Sequence, residues 1–155
     1  MPLILQEKKT MRLRMMLAAM ALMLVPLVAQ AQFKDLDVAM SNLTRGFGSG
    51  DAQAIVAGIG DGDQVRLQFP GLIDQNGNYY GRDQAAYLLD GLFNRVKPSA
   101  FDIKRATKKS AQGQYEIDAT WTVQVAGKPQ ARDLYILLRN NKDHWSLASV
   151  QSGSK

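Results

Sequence analysis

A long alternation of apolar and polar residues between Gln114 and Ala126 constrains the fold more than any other feature of the sequence. The apolar positions are Tyr115, Ile117, Ala119, Trp121, Val123 and Val125. The polar positions are Glu116, Asp118, Thr120, Thr122 and Gln124. A period of two predicts an extended strand with one face packed on a core and the other turned toward water or a partner.

Further strands are predicted on both sides of this alternation. Three strand-like runs, joined by short turns rich in Gly, Asn and Pro, are Ala100–Lys108, Ala131–Asn140 and His144–Gln151. Short connections of this kind favour antiparallel pairing of neighbours. An earlier strand is predicted at Val65–Phe69, and Tyr79-Tyr80 is predicted as a very short strand after a turn at Asn76-Gly77.

Three helices are predicted from apolar residues spaced three and four positions apart. The first spans Phe33–Phe47, and Asp51 is expected to cap a short second helix at Ala52–Ile59. The third begins after Gly81, and its apolar stripe is Ala85, Leu88, Leu89, Leu92 and Phe93. Because the helices are segregated from a mostly antiparallel set of strands, the fold class is α+β.

A secretory signal is predicted at the start of the chain. A basic leader that ends at Arg14 is followed by the apolar run MMLAAMALMLVPLVA and by Ala29-Gln30-Ala31, which has small residues where a signal peptidase cuts. The apolar run is about 15 residues long, shorter than the roughly 20 that a membrane span needs. We expect cleavage after Ala31, with either Met1 or Met11 as the first residue, and membrane contact only through this segment before cleavage.

The expected cleavage divides the chain into a signal peptide at 1–31, a single domain at 32–151 and a loose tail at 152–155. The leader carries +3 of the formal charge of +5, so the basic balance does not indicate nucleic-acid binding. The chain has no cysteine, so its core alone must hold the fold. We expect a periplasmic or secreted protein.

Four short motifs accompany this order of predicted elements: Gly50-Asp51 at the second helix, Tyr80-Gly81 before the third, the strand Leu134–Leu138 and the closing Trp145-Ser146-Leu147. Together they resemble the pattern of the nuclear transport factor 2-like superfamily. Within it, the chain is most similar to a family of small exported bacterial proteins of unknown function. The resemblance implies a cone, in which a curved, mostly antiparallel sheet wraps around the N-terminal and central helices. The superfamily includes isomerases and dehydratases as well as non-catalytic binding domains, so the fold leaves the function open.

Asp133 is one candidate for a catalytic residue. It shares strand parity with Tyr135 and Leu137, on a strand whose two apolar faces predict cover on both sides. A buried aspartate there would be a general-base candidate, since ketosteroid isomerases of this superfamily use an aspartate base. A cross-strand ion pair with a lysine or arginine is the simpler interpretation.

His144 is the other candidate, as the only histidine of the chain. Trp145 and Leu147 are better core residues than the positions between them, so we expect His144 to face solvent at the start of a strand. No second acid or histidine is placed to assist either candidate. One histidine and no cysteine do not support a structural zinc site, and we expect no metal and no cofactor.

Aromatic residues are the candidates for a ligand pocket. Those expected to line an apolar cavity are Tyr80, Tyr87, Trp121 and Tyr135. Rings with polar tips suit both binding sites and cores, and core packing is the simpler alternative for each one. A basic cluster, made of Lys104, Arg105, Lys108 and Lys109, is divided between two strand faces. That division predicts a solvated sheet edge rather than a phosphate-binding strip.

Three functional hypotheses follow. The first is a non-catalytic binding domain for a small apolar ligand or a partner surface. The alternative is an isomerase- or dehydratase-type enzyme that uses a pocket acid or a tyrosine. The third is an interaction domain that forms a homodimer through the outer face of its sheet, with Thr120 and Thr122 at the centre. The lack of a second catalytic group beside Asp133 or His144 favours a protein that is not an enzyme.

Overall fold

A computed structural model describes residues 33–73, 76–109 and 113–153, so the predicted secretory signal lies outside the described residues. The helices are α1 (Leu36–Ser49), α2 (Ala52–Val56) and α3 (Arg82–Arg95). The strands are β1 (Val65–Gln68), β2 (Asn78–Tyr80), β3 (Lys97–Lys109), β4 (Gln114–Val125), β5 (Lys128–Asn141) and β6 (His144–Ser152). No helix in the described ranges is long and apolar enough to cross a bilayer.

The six strands form one open sheet in the order β2-β1-β6-β5-β4-β3. All neighbours pair antiparallel except β1 and β6, which run parallel. The predicted α+β class and the mostly antiparallel sheet are therefore confirmed. The strand β3, which carries the basic cluster, is an edge strand as expected. The parallel pair was not predicted, because a hydrophobic pattern does not show which distant strands become neighbours.

Local capping fixes where the first two helices begin. The Asp35 carboxylate accepts a hydrogen bond from the Val38 N–H at 2.8 Å and caps α1, so this helix begins at Leu36 rather than at Phe33. Gly50 ends α1 with a φ of 76°, a conformation that favours glycine. The predicted cap at Asp51 is confirmed, since its carboxylate accepts from the Ala54 N–H at 3.1 Å.

Phe33, which precedes α1, is fully buried and ties the start of the domain to its far end. Its carbonyl oxygen accepts a hydrogen bond from the Trp145 N–H at 2.8 Å. Its ring lies directly against Gly58, and a Cβ at that position would overlap the ring. Position 58 therefore requires glycine because of a close approach between backbone and ring.

The inner face of the sheet packs on the helices through aromatic rings. The predicted alternation of β4 is confirmed, since its burial also has a period of two. Rings that meet in the interior are Phe47, Phe69, Phe93, Phe101 and Trp121, with centroid distances between 5.5 and 6.1 Å. The Trp121 Nε1–H donates to the Phe47 carbonyl oxygen at 2.8 Å, so the buried indole nitrogen has a partner.

Two local predictions are corrected by the structure. Leu88 is only half-buried, and Ala86 takes its place on the buried side of α3, because this helix rests on the core along a slightly rotated face. The predicted start of a loose tail at residue 152 is wrong: Ser152 belongs to β6, and the Gly153 N–H donates to the Asp133 carbonyl oxygen at 3.1 Å. Residues 154–155 lie outside the described residues.

Candidate functional site

The aromatic residues predicted to share one pocket are distributed over three places. Trp121 is completely buried in the interior. Tyr135 lies on the outer face of the sheet, opposite Asp118 of β4. Tyr80 and Tyr87 line the same surface hollow beside α3. The prediction of a single pocket is therefore wrong, because strand parity puts Trp121 and Tyr135 on opposite sides of the sheet.

The interior of the cone is occupied by the rings of its own core. Phe47, Phe69 and Trp121 are each 0% exposed, and each contacts at least one other ring of the cluster. Acidic side chains of β4 point to the other side of the sheet, because they alternate with the buried positions. The inner face of β4 thus presents apolar surface rather than acids.

Asp133 does not occupy the environment that a buried base requires. Its side chain is exposed on the outer face, with Thr120 as its cross-strand partner. The predicted ion pair with a lysine or arginine is not formed with any residue that the structure describes. The strand is central, as predicted, but its second face is only half-covered within this chain.

His144 is the first residue of β6 and is half-buried opposite Asn141. No group of three or more histidine, aspartate or glutamate side chains within the described residues could hold a metal ion.

The outer face of the sheet has two continuous rows of side chains across its middle. One row, from β2 to β3, is Tyr79, Arg66, Ser149, Leu137, Glu116 and Thr107. The next row, from β1 to β3, is Gln68, Gln151, Tyr135, Asp118 and Arg105. Each row has one apolar side chain from β5 near its centre. Arg66 and Glu116 lie on either side of that centre in the first row, and the charges of the second row, Asp118 and Arg105, lie on its β3 side only. We refer to these two rows as the outer-face rows.

A shallow hollow of about 190 Å³ lies at the centre of the outer-face rows. Its lining side chains include Glu116, Asp118, Tyr135, Leu137, Ser149 and Gln151, and all six are half-buried. The second apolar face of β5, visible in the sequence, is the signal that marks this hollow. The sequence did not predict that Ser149 and Gln151 line this hollow, because their position depends on a bulge in β6. The bulge lies between Leu147 and Ser149, which pair with Leu138 and Leu137 of β5.

Two ion pairs join the acids of the hollow to the basic edge strand. The Arg105 Nε–H donates to the Asp118 Oδ2 atom at 2.9 Å, and Lys109 Nζ lies 3.5 Å from Glu116 Oε2. Asp118 is 20% exposed, whereas Arg105 is 68% exposed. Arg105 and Lys109 therefore share one face of β3, as the predicted division of the basic cluster requires, and the structure shows that it is the outer face. The acids of β4 are paired groups rather than isolated carboxylates.

Comparison with known proteins agrees with this architecture. Residues 40–152 match the family described as "Domain of unknown function (DUF4783)". No curated protein shows a significant match. A DUF4783 family protein from Bacteroides ovatus is 15% identical with a TM-score of 0.60, covering 72% of this chain and 91% of that one. Another, from Bacteroides fragilis, is 18% identical with a TM-score of 0.58, covering 74% and 96%.

A ketosteroid isomerase-like protein from Erwinia carotovora is 22% identical, with a TM-score of 0.55, and the alignment covers 77% of this chain and 93% of that one. Likenesses at these identities show the fold and leave the activity open. They confirm the predicted resemblance to the nuclear transport factor 2-like superfamily and to a family of unknown function.

Proposed function

Because the chain belongs to the DUF4783 family, whose fold also occurs in ketosteroid isomerase-like proteins, we propose that it is an exported, non-catalytic interaction domain that pairs with a second copy through the outer-face rows. The observation that carries this proposal is the filled interior. Where a small-molecule enzyme of this fold needs a cavity, this chain has packed rings, of which Trp121 is 0% exposed.

The size of the outer hollow favours a protein partner over a small ligand. Ligand pockets are commonly about 300–1,000 Å³ and enclose most of the ligand, whereas this hollow has about 190 Å³. A drug-sized molecule would remain largely in water there. A facing protein surface would instead cover the half-buried Tyr135 and Leu137 together with their neighbours, as the apolar centre of an interface within a polar rim.

The charges along the first outer-face row support a second copy as the partner. In that row, Arg66 of β1 and Glu116 of β4 lie on opposite sides of the adjacent pair Ser149 and Leu137. A two-fold axis that runs along the strands between β5 and β6 would place Arg66 of one copy opposite Glu116 of the other. An interface of this kind is self-complementary, as two-fold symmetry requires. Its centre would be Leu137 rather than Thr120, which lies farther along β4.

Native mass spectrometry combined with light scattering tests this proposal on the purified protein. We expect a dimer, and we expect Leu137→Glu to be a monomer, because two carboxylates would be buried across the axis. Val38→Glu is the matched control: Val38 is an exposed apolar residue in the first turn of α1, away from the sheet, and its substitution should leave the dimer unchanged. A wild-type monomer, or a Leu137→Glu protein that dimerises equally well, would refute the proposed pairing.

Export is tested separately by fractionation and N-terminal sequencing. The expected product is a periplasmic or secreted chain that begins at Gln32, after removal of the segment that ends with Ala31. Recovery of the protein in the cytoplasm, with Met15 to Ala31 retained, would contradict this part of the proposal without affecting the dimer.

A further inference from the structure

The first outer-face row contains an acid that already has a partner within its own chain. Lys109 Nζ of the edge strand β3 lies 3.5 Å from Glu116 Oε2, and the two side chains are 53% and 40% exposed. Among the residues that the structure describes, Glu116 forms an ion pair with no other cation. Water screens an exposed pair of this kind and makes it weak, so Glu116 can change its partner readily.

Arg66, on the opposite side of the centre of the row, is a cation without an acidic partner in the described ranges. It is half-buried on β1, and its Nη2 atom donates to the Asn76 carbonyl oxygen at 3.1 Å. A hydrogen bond to a carbonyl does not neutralise a guanidinium, so Arg66 remains a positive charge on the outer face. The row therefore holds one cation that lacks an acid and one acid that is held by an exposed lysine.

The register of the sheet relates Arg66 and Glu116 through the proposed two-fold axis. Arg66 lies one strand beyond β6 and Glu116 one strand beyond β5, so each is about 7 Å from an axis between β5 and β6. Rotation about that axis places Arg66 of one copy opposite Glu116 of the other, and it does so twice in each dimer. Lys109, on the edge strand, lies at the rim of the same interface.

The chemistry of the two cations favours Arg66 once the interface closes. A facing sheet removes water from Glu116, and a covered carboxylate needs strong hydrogen-bond donors. A guanidinium is weakly hydrated and can bind a carboxylate through two parallel hydrogen bonds. The ammonium group of Lys109 is strongly hydrated and can remain in the wet rim.

Two other cations lie close to Glu116 on the outer face. Arg105 is held in the second row, where its Nε–H donates to Asp118 Oδ2 at 2.9 Å. Arg139 is exposed on β5 and pairs in register with Gln114, two residues before Glu116. It forms no ion pair with a described acid, so it is the alternative against which Arg66 is tested.

We propose that dimer formation exchanges the partner of Glu116, from Lys109 of the same chain to Arg66 of the second copy, an inference that rests on the pairing proposed above. Lys109 is then an intrachain competitor that limits the affinity of the dimer. Each dimer that forms breaks two lysine pairs and makes two arginine pairs. Removal of the charge at position 109 therefore strengthens the dimer, although Lys109 lies on the proposed interface.

Analytical ultracentrifugation of the purified protein over a range of concentrations measures the dissociation constant of the dimer. We expect Lys109→Met to tighten the dimer about fourfold, because it removes two competing pairs. Lys108→Met is the matched control: it removes the same charge from the other face of β3, where Lys108 pairs in register with Tyr115, and should leave the dissociation constant unchanged. In a Glu116→Gln background, Lys109→Met should have no effect, because no carboxylate remains to compete for.

Charge reversal identifies the cation that replaces Lys109. Arg66→Glu and Glu116→Arg should each weaken the dimer on the order of 100-fold, because like charges then face each other twice. An equimolar mixture of the two variants should form heterodimers with nearly wild-type affinity, since every facing pair is again opposite in charge. No recovery in the mixture would assign the contact to another cation, such as Arg139, and would overturn the proposed exchange.

Failure of the exchange and failure of the dimer give different results. A wild-type monomer would refute the proposed function and the exchange with it. A dimer that Leu137→Glu disrupts, but that Lys109→Met tightens no more than Lys108→Met does, would retain the proposed function and overturn the exchange. Tightening that persists without the Glu116 carboxylate would overturn it as well. All these positions are half-buried or exposed, and circular dichroism should show that each variant is folded.

Discussion

The two faces of β4 belong to one strand and have opposite roles. On the inner face, Trp121 and Val123 are 0% exposed and pack against rings and aliphatic side chains. On the outer face, Asp118 and Thr120 alternate with them and remain half-buried within a single copy. The inner face is complete within one chain, whereas the outer face has apolar and charged groups that a facing surface would cover.

The difference shows where function can reside in this fold. Core rings that meet at 5.5–6.1 Å fill the cone and stabilise it, so the interior has little freedom to change without loss of stability. Side chains on the outer face are half-buried or exposed, so we expect them to contribute less to folding than the core rings do. Substitutions on the two faces should therefore differ strongly in their effect on the free energy of unfolding.

The largest effect is expected at the centre of the inner face. Trp121→Ala should lower the free energy of unfolding by about 4 kcal/mol, because it opens a large cavity and leaves the buried Phe47 carbonyl oxygen without its donor. Urea unfolding followed by circular dichroism measures this change. Thr120→Ala, on the adjacent outer position, is the control and should change stability by less than about 0.5 kcal/mol. Similar losses for the two variants would contradict the distinction between the faces.

The next effect is expected at Gly58, where backbone and ring meet at the end of the core. Gly58→Ala should destabilise the protein by about 3 kcal/mol, since the new methyl group overlaps the Phe33 ring. Gly91→Ala is the matched control, because this glycine lies in α3 with open space around it. That substitution should stabilise the protein by about 0.5 kcal/mol or more. Thermal unfolding compares the two, and equal effects would exclude the close contact.

The smallest effect is expected on the outer face. The coupling energy between Arg105 and Asp118, from a double-mutant cycle with Arg105→Gln and Asp118→Asn, should be about 0.5 kcal/mol, because Arg105 is 68% exposed and water screens the pair. The coupling should decrease as salt is added. A coupling as large as the loss from Trp121→Ala would mean that the outer face is part of the folding core.

Most of the fold follows from local pattern, since alternation and helical spacing are set by residues close in the sequence. The strands, the inner face of β4 and the cap at Asp51 were predicted in this way. The parallel pairing of β1 with β6 and the burial of Phe33 were not, because both depend on contacts between distant parts of the chain.

The candidate site was predicted only in part, because the sequence does not show which face of the central strand β5 is the inner one. β5 has apolar residues on both faces, and parity shows that Tyr135 and Leu134 are on opposite sides without showing which side is the interior. Tyr135 was therefore assigned to a pocket although it lies on the outer face. The Arg105–Asp118 pair depends on an irregularity in β3 between Ile103 and Arg105, which shifts the register by an amount that no sequence pattern reveals.

The contact between Phe33 and Trp145 has a consequence for the timing of folding. The two residues come from opposite ends of the domain: the Phe33 ring packs against Gly58, and the Phe33 carbonyl oxygen accepts a hydrogen bond from the Trp145 N–H. In a chain translocated with its amino terminus first, the Phe33 carbonyl oxygen would gain its Trp145 donor only after the start of β6 has emerged. Because β6 supplies Leu147 and Val150 to the core, the completed core would form only after the whole domain has crossed.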